Sequence, residues 1–116
     1  MMEEYQKGKR VLGSNRGIWN PDRKAVVFPS GVVIWLGGRP DAPPLAVRLR
    51  MEGGCRPSPF KLAKYVVTGK VPRGGELTPL EPGEVLTEEP NLGLDLLKEV
   101  PDPYRAKLAA WLLPRT

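Results

Sequence analysis

Residues 24–36 place the tightest constraint on what this chain can fold into. Lys24-Ala25-Val26-Val27-Phe28 runs into Pro29-Ser30-Gly31, and Val32-Val33-Ile34-Trp35-Leu36 follows. Two β-branched and aromatic runs around a turn too short for a parallel crossover read as an antiparallel hairpin. The second run is apolar on both faces, which predicts a central or doubly covered strand. Gly37-Gly38 ends it, and Arg39 to Pro44 is a Pro-rich loop. Leu45 to Met51 then alternates. Leu45, Val47, Leu49 and Met51 share one face, while Ala46, Arg48 and Arg50 share the other. That pattern predicts a half-buried strand with its two arginines facing outward.

A helix is expected over 59–68. Ser58 can accept a hydrogen bond from the first turn, Pro59 suits the first helical position, and Gly69 is a natural terminator. Phe60, Ala63 and Val67 form its apolar stripe, with Leu62 and Val66 beside it; Lys61, Lys64 and Thr68 lie on the other side. At about three turns, such a helix needs tertiary packing to persist. Residues 70–90 are rich in Pro, Gly and Glu, with a short strand expected at Glu84 to Thr87. Asn91 can cap a helix over 92–99. Asp102-Pro103 opens a last helix over 103–113, whose stripe is Tyr104, Leu108, Trp111 and Leu112; Pro114 stops it. The short turn at Val100-Pro101-Asp102 suits an αα-hairpin packed on the sheet better than a DNA-reading helix-turn-helix. Only Arg105 and Lys107 would face outward as polar readers.

The expected fold is therefore α+β. It has a small antiparallel sheet of about three or four strands, one basic helix and a C-terminal helical pair over residues 18–116. Residues 1–17, with Lys7, Lys9, Arg10 and Arg16, read as a flexible basic arm. Val33 or Ile34, Trp35, Leu49, Phe60, Val67, Leu108 and Trp111 are the expected core. Trp19, at the junction of arm and domain, is the ring expected to be exposed.

Composition narrows the chemistry. Among 116 residues there is no His and one Cys. Without His the usual proton-transfer side chain is missing, so Ser-His-Asp, Cys-His and Cys/His zinc sites cannot be built within the chain. A lone Cys55 beside Arg56 reads as a turn residue rather than a reactive thiol. Thr68-Gly69-Lys70 departs from a phosphate loop, since Lys64 stands in place of its first Gly and Val71 in place of its Ser/Thr. Asp22-Arg23-Lys24 has the Asp-x-Lys form of some metal-dependent nucleases. Only Glu3 and Glu4 precede it as further carboxylates, so a solvated strand entry is expected. No enzyme activity and no cofactor or metal are expected. The absence of a long apolar run predicts no membrane span and a soluble, cytoplasmic chain. One Gln, three Asn and 14 Pro suit a thermophile or, equally, a GC-rich genome.

Charge is distributed unevenly under the overall +5. Residues 39–73 carry net +6, and residues 74–116 carry net −4. The basic section is expected to contact nucleic acid through Arg39, Arg48, Arg50, Arg56, Lys61 and Lys64, with Arg48, Arg50, Lys61 and Lys64 forming one surface against phosphates. The alternative is a protein partner. The chain would then be a structural or regulatory subunit of a larger assembly, such as a viral or mobile-element one, with its acidic third as the docking surface.

Overall fold

The computed structural model describes residues 17–92 and 99–113. Five strands form one antiparallel sheet in the order β1-β2-β3-β4-β5: β1 Ile18–Asn20, β2 Ala25–Val27, β3 Val32–Trp35, β4 Leu45–Arg50 and β5 Glu76–Leu80. The hairpin at 24–36 forms as its sequence dictates. Val26 pairs with Ile34, and Val27 with Val33. The turn is closed by Phe28 and Gly31, whose amides donate to Val32 and Phe28 carbonyls. Gly31 has φ of 104°, and a Cβ there would meet the Leu49 carbonyl oxygen at 2.3 Å, so only glycine fits between the turn and β4.

The sheet has two more strands than the apolar runs alone suggest. β1 lies at the junction of arm and domain, where no strand is expected; its Trp19 pairs across to Val26 and packs on Tyr104 with ring centroids 5.5 Å apart. Trp19 is thus half-buried, because the C-terminal helix supplies an aromatic partner that lies far away in sequence. β5 hides in the Pro-rich stretch. Pro79 cannot donate to a ladder, but β5 is an edge strand, where a missing amide is tolerated.

Among the described residues, three helices pack with the sheet: α1 Pro59–Thr68, α2 Pro82–Glu88 and α3 Tyr104–Leu112. A single 3-10 turn, Glu52–Gly54, leads from β4 toward α1. The strand expected at Glu84 to Thr87 is helix α2. Pro82 occupies the first turn, and the Glu81 amide donates to the Glu84 carboxylate at 2.8 Å, so local capping outweighs the β-branched residues Val85 and Thr87. Of the C-terminal pair expected at 92–99 and 103–113, residues 93–98 lie outside the described residues; among those described, α2 and α3 are in contact. At the start of α3, Pro103 rather than Asp102 is the capping residue. Residues 1–16, which carry the expected arm, also lie outside the described residues.

Helices cover both faces of the sheet. Val26, Ile34, Ala46 and Leu80 meet Val85 of α2 and Leu108 and Leu112 of α3 in one apolar cluster. Ala25, Val33, Val47 and Leu49 meet Leu62, Tyr65 and Val66 of α1 in the other. This is why β3 is apolar on both sides: Val32, Val33 and Ile34 are all fully buried. Trp35 stands edge-on to Tyr65, with ring centroids 5.9 Å apart, and is half-buried.

The stripe expected to bury α1 is the exposed one. Phe60 is 70% and Val67 62% exposed, whereas Leu62, Tyr65 and Val66 are buried. Both stripes are apolar at helical spacing, so period alone does not choose between them. The sheet chooses the stripe that carries Tyr65, which finds Trp35. The opposite correction applies to Arg48 and Arg50. They lie on the strand face away from Val47 and Leu49, as alternation requires, but α2 covers that face, so neither is fully exposed.

Candidate nucleic-acid interface

The six basic residues singled out by the sequence fall into three groups. Arg48, Arg50 and Arg56 gather around α2. The Arg48 Nη1 donates to Glu88 Oε2 at 3.0 Å, and Arg50 Nη2 lies 3.6 Å from Glu88 Oε1. The other end of the Arg50 guanidinium donates to the Ser30 carbonyl. Ser30 in turn donates its hydroxyl to Glu89 Oε2 at 2.7 Å. Arg56 joins Pro29, Ser30, Arg50, Glu88 and Glu89 around a small polar cleft. Burial pushes the Glu89 carboxyl above the usual carboxylate range, and repulsion from Glu88 adds to this; the Ser30 hydroxyl and the charge of Arg56 partly offset it. Arg48 and Arg50 thus have an intramolecular partner, and they tie β4 to α2.

Arg39 stands alone in the β3–β4 loop, with an exposed pair to Asp41 at 3.6 Å. Its carbonyl, with those of Leu36 and Gly37, accepts from Lys107 Nζ at 3.1–3.2 Å. Arg105 likewise donates to the Val100 carbonyl. The two basic residues that could have read DNA from α3 are therefore occupied with backbone carbonyls.

Lys61 and Lys64 are placed on the other layer. They project from α1, across the sheet from Arg48 and Arg50, so the four do not make one surface. The helix that carries them is well terminated. Ser58 Oγ accepts from the Lys61 amide at 3.2 Å. At the far end Gly69 takes the left-handed conformation, φ 75°, and donates to the Tyr65 carbonyl at 2.7 Å. Arg23 caps the same end, its Nε donating to the Val66 carbonyl at 3.0 Å while its guanidinium sits 5.8 Å from the centre of the Trp35 ring. Arg23 is thereby held by α1 and Trp35. Asp22 takes its place in the β1–β2 turn with its amide on Asn20 Oδ1.

The segment from Gly53 to Gly75 holds Arg56, Lys61, Lys64, Lys70 and Arg73 and no acidic residue. All five are exposed, and none is in a salt bridge among the described residues. The outer face of α1 adds Phe60 and Val67, residues that sequence reasoning assigned to the core. An apolar groove of about 150 Å³ opens beside its first turn, lined by Ile18, Val27, Phe28, Pro29, Pro57, Pro59, Leu62 and Ala63. Among the described residues, no group of three or more His, Cys, Asp or Glu is placed to hold a metal ion. No described helix is long and apolar enough to cross a membrane.

No protein-family model matches this chain, and no curated protein or solved structure matches it.

Proposed function

We propose that this chain is a non-enzymatic binding protein that meets a nucleic-acid backbone through the outer layer formed by α1 and its flanking loops. The observation that carries this reading is the set of exposed cations Lys61, Lys64, Lys70 and Arg73 in the stretch from Gly53 to Gly75, which contains no acidic residue. Exposed cations without a salt-bridge partner attract phosphates and release condensed counterions on contact. Arg48 and Arg50 leave the contact set, because Glu88 holds them on the opposite layer. Lys61 and Lys64 remain its centre.

The test is binding of the full chain to a labelled oligonucleotide by anisotropy across a salt series. Replacing Lys61 and Lys64 together by Ala should weaken binding roughly uniformly across sequences. It should also flatten the salt dependence by about one unit per lost phosphate contact. Arg48→Ala with Arg50→Ala should leave the slope unchanged. An unaltered affinity and slope in the lysine variant, with its melting temperature intact, would remove α1 from the account. Exposed Phe60 and Val67 favour a second reading, a subunit that docks a protein partner by this face; that contact would be insensitive to salt by comparison.

A further inference from the structure

We infer that the nucleic acid bound by α1 is single-stranded, and that Phe60 is the platform on which an unpaired base stacks. This inference rests on the reading of α1 as a phosphate-binding face and adds the form of the ligand. Three observations carry it. Phe60 is 70% exposed and adjoins Lys61 in the chain, so a flat ring and a cation leave the helix from the same first turn. Val67, 62% exposed, lies two turns along on the same stripe, and the small Ala63 between them leaves the ring open on that side. The apolar groove of about 150 Å³ shares Ala63 with this stripe, and its lining is built from aliphatic, proline and phenyl groups.

Charge and shape together select the occupant. A second copy of this face is disfavoured, because Lys61 and Lys64 would meet Lys61 and Lys64. The ligand must bring negative charge and flat apolar faces at once. Duplex DNA offers the charge but keeps its base faces stacked on each other, leaving Phe60 and Val67 uncovered. A single strand offers both: phosphates for the lysines and unstacked bases for the ring. An anionic membrane would also offer charge with apolar matter. Its hold scales with the apolar area inserted, however, and a ten-residue helix with two large exposed apolar side chains inserts little.

The experiment compares a labelled oligothymidine, a duplex of the same length and phosphatidylserine vesicles at low salt, using the wild-type chain, Phe60→Ala, Phe60→Trp and the Lys61/Lys64 double alanine variant. The wild type should prefer the single strand. Phe60→Ala should lose roughly 5- to 150-fold of that affinity while the salt slope holds. Phe60→Trp should keep or improve it, with indole emission that changes on binding. The lysine variant should weaken both nucleic acids and flatten the slope. Equal binding of single strand and duplex, with Phe60→Ala matching wild type, would overturn the stacking inference and leave the phosphate reading standing. Binding to neither nucleic acid would remove both. Phe60-dependent binding to vesicles, with none to oligothymidine, would assign the face to lipid and overturn the inference. Because Phe60 is exposed, its variants should melt as wild type does. If Phe60→Ala does not, Phe60→Trp against wild type decides the matter by its emission.

Discussion

Glu89 shows how one side chain joins local chemistry to stability. It is held above the ordinary carboxylate range, chiefly by burial, and accepts from the Ser30 hydroxyl across a sequence separation of 59 residues. A carboxyl whose pKa is raised on folding binds its proton more tightly when folded. Its contribution to stability is therefore fully present below the unfolded value and is lost as pH rises through the raised value. Urea melts of the wild type should gain stability as pH falls across that window. Glu89→Gln, neutral at every pH and still able to accept from Ser30, should lack that gain and be as stable as wild type or more so at neutral pH. A wild-type and a variant with parallel pH profiles through the window would contradict the assignment. Glu88 next to it faces Arg48 and Arg50 directly. None of this is legible from the neighbouring residues in sequence, since Arg48 and Glu88 are 40 residues apart.

At the scale of elements, α1 carries two apolar stripes and only one is structural. Leu62, Tyr65 and Val66 pack on the sheet, while Phe60 and Val67 face out. Leu62→Ala should cost roughly 2–5 kcal/mol, as for a large side chain removed from a packed interior. Phe60→Ala should stay within about 0.5 kcal/mol of wild type, as for an exposed position. Denaturant melts of the two variants check this, and a Phe60 variant as damaged as the Leu62 one would mean that the stripes are reversed. The boundaries of α1 were readable in advance, because Ser58, Pro59 and Gly69 act within one turn of themselves. The ends of α2 were equally local, in Glu81, Pro82 and Glu84, yet its β-branched centre pointed the other way. Capping satisfies backbone donors that would otherwise be unpaired, and it prevailed over a weak side-chain preference.

Across the whole molecule, one five-stranded sheet is shared by two apolar clusters. Neighbouring residues of β3 serve different clusters: Val33 faces α1, and Ile34 faces α2 and α3. Neither helical layer can leave without exposing a sheet face, so both should unfold together. Val33→Ala and Ile34→Ala should each lower a single melting transition, with far-ultraviolet circular dichroism and tryptophan emission tracing the same curve. Two separated transitions in either variant would show the layers to be independent. The sequence by itself determined the hairpin, the alternation of β4, the start and stop of α1 and the stripe of α3, because each depends on residues within a turn or a strand of one another. Tertiary structure alone decided which stripe of α1 is buried, that β4 is covered on both faces, and that Arg48 and Arg50 meet Glu88 while Lys61 and Lys64 stay free of ion pairs among the described residues. The reason is physical: periodicity states which residues share a face, but what covers that face, and so whether an arginine meets solvent or a carboxylate, is set by elements distant in the chain.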